Sequence, residues 1–126
     1  MKQLPKYLPV WFVVHFVIDI IFAIPLLFFT EQFLQCLHFS DENLVFVRLV
    51  GAALIGIGGV SFVMHKEGVE VYRVMLALKL LWSGGAIFAI GVSLMQGAPQ
   101  ITWIFLSIFV IFFVVWGHYY REINCS

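Results

Sequence analysis

Four ionisable residues stand inside otherwise apolar stretches of this sequence: His15 and Asp19 in LPVWFVVHFVIDIIFAIPLLFF, Arg48 in LVFVRLVGAALIGIG, and Lys79 in VYRVMLALKLLWSGG. A histidine and an aspartate four apart fall on one face of a helix, within reach of each other. Such a pair can bind a cation or exchange a proton, with Asp19 as the carboxylate and His15 as its relay one turn away. Lys79 or Arg48 would be the cation that sets its ionisation. The competing expectation is an ionic brace that fixes how helices meet and performs no chemistry. A further alternative sends Arg48 outward, toward Glu31, and Lys79 inward, which leaves Asp19 protonated and hydrogen-bonded. Other chemistries lack their residues. His15 and Asp19 supply two metal ligands where a site needs more, since His38, His65 and His118 lie near or beyond the ends of the apolar runs. No GxSxG, HExxH, CxxC or phosphate-cradling glycine loop occurs, so no catalytic residue is assigned, no cofactor is implied and the expectation leans away from an enzyme.

The elements that must position these groups follow from composition. The 126 residues are 63% hydrophobic and 11% charged, against about 45–50% and about 25% in ordinary soluble domains. A chain of this kind belongs in a bilayer. Its net charge of zero, with no basic stripe, sets nucleic acid aside as a partner. Four segments approach or exceed the length that crosses a hydrocarbon core: residues 8–29, 44–64, 72–95 and 101–118. Helices are expected, because lipid offers backbone groups no partners and the runs lack the alternation of barrel strands. The reading is a single integral membrane domain, all-α, a four-helix transmembrane bundle with up-down-up-down order. On this reading a cleaved signal peptide at residues 1–25 is disfavoured by length and by the missing small-residue cleavage site.

Orientation follows from the basic residues. Lys2 and Lys6 precede the first span, Lys66 and Arg73 flank the second connection, and Arg121 follows the fourth span. The first and third connections hold none, which predicts an N-in/C-in chain with both termini in the cytoplasm. Glu31, Asp41 and Glu42 then lie outside. Tyr7, Trp11, Tyr72, Trp116, Tyr119 and Tyr120 are expected at the inner interface, and Trp103 at the outer one. At 1.5 Å per residue, His15 and Lys79 sit roughly 10 Å above the inner boundary and Asp19 roughly 16 Å above it, while Arg48 sits roughly 6 Å below the outer one. Asp19 is thus placed in depth between two cations.

In the first connection, EQFLQCLHF puts Phe33, Leu34 and Leu37 on one side and Gln32, Gln35 and His38 on another, the pattern of a short helix in the outer interface; an irregular loop is the alternative. Cys36 and Cys125 fall on opposite sides of the membrane and cannot pair within a chain. Small residues should bring helices close where hydrophobicity cannot. On the second span Arg48, Ala52, Gly56 and Gly59 lie near one face, with Gly51 beside them also assigned to helix packing, and on the third Lys79, Ser83, Ala86, Ile90 and Ser93 do. These two spans are therefore expected to form the closely packed inner pair, with the fourth most exposed to lipid. Pro25 is expected to kink the first span near its outer end.

The stretch RLVGAALIGIG, Arg48 to Gly58, resembles the second span of the small four-span DoxX-like bacterial membrane proteins, and the placement of Pro25 and of the polar outer connection is similar in layout. Arg48 and Gly51 are the family-like positions. The resemblance implies an inner-membrane four-helix protein, with some relatives associated with membrane redox systems and quinones. It implies no catalytic residue. The leading expectation for function is a non-enzymatic, oligomeric membrane protein that binds or passes a small solute or proton at Asp19, His15, Lys79 and Arg48. The alternative is a structural or accessory subunit of a membrane complex.

Overall fold

A proline in the first turn of a helix removes only an amide that would have no partner there, and the first helix begins with Leu8 and Pro9. In the computed structural model, which describes residues 3–39 and 44–125, α1 spans Leu8–Phe28, α2 Thr30–Cys36, α3 Leu44–Val63, α4 Val69–Met95 and α5 Thr102–Cys125. Among the described residues there is no strand, and α1, α3, α4 and α5 are each long and apolar enough to cross a membrane. Lys2, Asp41 and Glu42, used above to orient the chain, lie outside the described residues.

The helices form two compact units. The first contains Tyr7–Lys66 and the second takes the chain from Glu67 onward, together with the residues before Tyr7. In the first unit α1 and α3 run antiparallel: Gly51 faces Leu26 and Leu27, Gly58 faces Asp19, and the rings of Phe16 and Phe62 stack at 4.6 Å. The buried residues of α1 are Leu8, Phe12, His15, Asp19 and Ala23, and those of α3 are Gly51, Leu54, Gly58 and Ser61. Spacings of three, four and seven keep such residues on one face.

The close-packed face of α3 includes Gly51, as expected, but otherwise differs from the expected one. It lies one step around the helix from the stripe of Arg48, Ala52, Gly56 and Gly59: Ala52 is exposed, and a methyl group added at Gly56 or Gly59 would touch nothing within 4 Å. Within the two units, α3 packs on α1 and α4 on α5. Helical spacing alone allows several faces on a glycine-rich span. The steric demand of the neighbour chooses between them.

Pro25 lies inside α1, and the helix continues past it to Phe28, whose neighbour Phe29 donates its amide to the Pro25 carbonyl at 2.9 Å. Thr30 closes the corner into α2 with its hydroxyl donating to the Leu26 carbonyl at 2.6 Å. The short outer helix is present. Leu34 is buried, Phe33 and Leu37 are half-buried, and Gln32, Gln35 and His38 are exposed, as the amphipathic reading required.

In the second unit α4 and α5 are also antiparallel, with Arg73 near Asn124 at one end and Gly84 near Phe113 further along. Both helices exceed their expected bounds. α4 begins at Val69, preceded by an extended Gly68 and carrying Glu70 in the first turn, where a carboxylate complements the helix dipole. α5 continues to Cys125, because Ile123 is buried and the Arg73 Nε–H donates to Asn124 Oδ1 at 2.8 Å while Arg73 also pairs with Glu70. Tyr72 and Trp116, expected in the aromatic belt, are both buried; Tyr7 and Trp103 are 59% and 54% exposed, as interfacial anchors would be.

Two helix ends use the same left-handed termination with different residues. After α4, Gly97 has φ +90° and the Ala98 amide returns to the Ser93 carbonyl at 3.0 Å; after α2, His38 has φ +64° and the Phe39 amide returns to Leu34 at 2.9 Å. Glycine adopts this conformation freely, and a side chain there costs about 1–2 kcal/mol. His38→Gly is expected to stabilise the protein by about 1 kcal/mol, and Gly97→Ala, which has open space around it, to destabilise it by about 1 kcal/mol. Denaturant titration in micelles of both variants checks the opposite signs.

Candidate functional site

The unit formed by α1, α2 and α3 holds the histidine and the aspartate together. His15 and Asp19 are 4% and 5% exposed, and His15 Nε2 lies 3.4 Å from Asp19 Oδ1. That separation is within ion-pair reach and longer than a typical hydrogen bond. Two titratable groups one turn apart can share or hand on a proton with little movement of either side chain.

Asp19 is fitted against α3 at one residue. A methyl group on Gly58 would stand 2.8 Å from the Asp19 Cβ and 2.9 Å from its Oδ2. The first contact is with an atom fixed by the α1 backbone, so it cannot be relieved by a side-chain rotation. Gly51, one heptad earlier, is also tight, with a built methyl 3.0 Å from Leu27 Cγ and 3.2 Å from Leu26 Cβ. α3 thus approaches α1 through two glycines, and the closer approach is the one beside the carboxylate. Ser61, one turn beyond Gly58, is buried and donates to the Ile57 carbonyl at 2.9 Å, which satisfies the hydroxyl within its own helix.

Arg48 is not part of this arrangement. It is exposed on α3, and among the described residues no ion pair joins it to Asp19 or to Glu31. Its place one turn into α3 lets the side chain extend to the helix end, as long cationic chains near a membrane boundary do.

Lys79 belongs to the second unit. It is 1% exposed, and its Nζ lies 4.9 Å from the centroid of the Trp116 ring, which also stacks with Phe112 at 5.5 Å and 12°. The negative face of an indole attracts a cation by about 0.5–2 kcal/mol, more as water is removed. Ser83, also buried, returns its hydroxyl to the Lys79 carbonyl at 2.6 Å, and Ala86 is half-buried. Among the described residues, no group of three His, Cys, Asp or Glu side chains converges as a metal ion would require. Cys36 and Cys125 are free and exposed.

Two residues that shape these environments escaped sequence reasoning. Gly58 was readable from the seven-residue interval to Gly51, which places both on a seam with Leu54 and Ser61. Trp116 was readable from Phe112, Trp116 and Ile123 at intervals of four and seven on α5, but Trp at a span end also fits an interfacial belt.

Four apolar helices of spanning length, with ionisable side chains buried and outward positions such as Ile21, Phe46, Leu81, Phe88 and Val114 exposed and apolar, define a small multi-pass α-helical membrane protein. Compared with protein-family models, curated proteins and solved structures, the chain matches none of them.

Two consequences are measurable by unfolding in micelles. Gly58→Ala is expected to cost about 1–3 kcal/mol and Gly51→Ala about 1 kcal/mol, with Gly56→Ala and Gly59→Ala neutral. A double-mutant cycle of Lys79→Met and Trp116→Leu is expected to give a coupling of about 0.5–2 kcal/mol, whereas additivity would show that the ring does not hold the cation.

Proposed function

We propose that this protein is a non-enzymatic proton-binding or proton-passing protein of the bacterial inner membrane, with residues before α1 and after α5 on the cytoplasmic side. The observation that carries the reading is the His15–Asp19 pair: two titratable groups, 3.4 Å apart and almost fully buried, on a helix of spanning length. Burying such groups in hydrocarbon is costly, and ionisable residues at that depth mark ion pathways and proton relays by default. Asp19 is the group that takes and releases the proton. His15, one turn toward the cytoplasmic side in this orientation, exchanges it with the inner surface. A proton is favoured over a larger solute because the backbone of α3 is pressed against the carboxylate at Gly58, which leaves little room beside it.

A structural role is the second reading, and the same close approach favours it: Asp19 is packed as a steric partner of α3, and Lys79 is packed on an indole ring. On that reading the protein is an accessory subunit or a homo-oligomer within a membrane complex. The resemblance of RLVGAALIGIG to DoxX-like proteins adds a quinone-linked redox complex as the form such an assembly would take.

The two readings separate in purified protein reconstituted into vesicles with a trapped pH dye. Wild-type protein is expected to dissipate an imposed proton gradient, Asp19→Asn to slow this by about tenfold or more, equivalent to about 1.4 kcal/mol in the barrier, and His15→Gln to slow it less. Equal rates for wild type and Asp19→Asn would contradict proton passage and leave the structural role.

A further inference from the structure

We propose that Gly58 is a positioning residue for the Asp19 carboxylate: the missing side chain at residue 58 is what holds Asp19 in register with His15. The inference rests on the proton-exchange reading above and concerns how that site is tuned. Of the ten glycines in the chain, Gly58 is the one whose built methyl group meets an ionisable side chain. It does so at three atoms of one residue, Asp19 Cβ at 2.8 Å, Oδ2 at 2.9 Å and Cγ at 3.3 Å.

A methyl group at residue 58 would have two effects. Against the Asp19 Cβ it would press α1 and α3 apart, because neither atom can move without its backbone. Against Oδ2 and Cγ it would turn the carboxylate about its own side-chain bonds. The other oxygen, Oδ1, is the one 3.4 Å from His15 Nε2. A carboxylate is rigid and planar, so displacing one oxygen also displaces the other. A methyl group at residue 58 turns or lifts the carboxylate and breaks its register with His15. Gly51 provides the contrast: its close neighbours are Leu26, Leu27 and the Ala23 carbonyl, so filling it strains the same helix pair without touching Asp19.

His15 is the titratable residue beside Asp19 on α1. The face that α3 turns to α1, Gly51, Leu54, Gly58 and Ser61, carries no titratable side chain; Arg48 on α3 and Glu31 on α2 are exposed; and His65, just beyond α3, is bonded to the Phe62 carbonyl and stacked on the Phe62 ring.

The test reads coupling between the two groups, which a purely structural role for Gly58 would not change. The carboxylic acid carbonyl stretch of Asp19, assigned by its loss in Asp19→Asn, is titrated by infrared difference spectroscopy in wild type, His15→Gln, Gly58→Ala and the double variant, with Gly51→Ala as control. In the wild-type background and in Gly51→Ala, removing the imidazole is expected to displace the Asp19 midpoint by about one pH unit, tenfold in proton affinity. In the Gly58→Ala background it is expected to displace it by less than half as much. Equal displacement in both backgrounds overturns the inference and leaves proton exchange intact. An Asp19 band that does not titrate in wild type overturns the proton reading, and this inference with it. If Gly58→Ala does not fold, glycine-labelled wild-type protein decides: the Gly58 resonances are expected to follow the Asp19 midpoint and to become flat in Asp19→Asn, and flat Gly58 resonances beside a titrating Asp19 overturn the inference.

Discussion

A carboxylate on a membrane helix is tolerable only if something other than hydrocarbon covers it, and the α1–α3 hairpin is arranged around that requirement. Lipid tails give two helices little reason to associate, so their approach must come from surfaces that fit. Here the fit is closest where the polar group is. Gly58 brings the α3 backbone against Asp19, Gly51 repeats the approach one heptad away at Leu26 and Leu27, and Phe16 stacks on Phe62 on the other side. These three contacts together define the antiparallel register of the pair and the face that α3 turns to α1.

The α4–α5 hairpin buries its charge in another way. Lys79 lies over the face of Trp116, which is backed by Phe112, and the hydroxyl of Ser83 is satisfied on the Lys79 carbonyl. An indole face offers a cation attraction without presenting a second charge that would itself have to be desolvated. A carboxylate has no such aromatic solution, since the ring face repels it. Asp19 is met by the α3 backbone at Gly58, and Lys79 by the face of the Trp116 ring. Outside the apolar stretch the second hairpin returns to ordinary surface chemistry, with Arg73 joining Glu70 and Asn124 where the ends of α4 and α5 meet.

The class of the protein was legible in the sequence because span length and hydropathy are nearly direct readouts of membrane thickness. Helix ends beyond the apolar runs were harder: α4 gains a turn and α5 runs to Cys125 through contacts of Ile123 and Asn124 that hydropathy does not register. The His15–Asp19 contact followed from the four-residue spacing, because a helix fixes that geometry locally. The surroundings of the pair depend on a second helix. A glycine-rich stretch such as GAALIGIGG presents several small faces at once, and only the bulk of Asp19, Leu26 and Leu27 on α1 selects Gly51 and Gly58 over Ala52, Gly56 and Gly59. Trp116 shows the same limit: its type fits an interfacial belt, and its partner Lys79 is known only once α4 and α5 are packed.

The central claim is that α3 meets α1 at the carboxylate. Solid-state NMR of the protein in lipid bilayers, with aspartate labelled at Cγ and glycine at Cα, tests it directly through dipolar recoupling across the helix pair. The account predicts a strong cross-peak between Asp19 Cγ and Gly58 Cα and none from Asp19 to Gly56. A strong peak to Gly56, or no glycine peak to Asp19 at all, would contradict it.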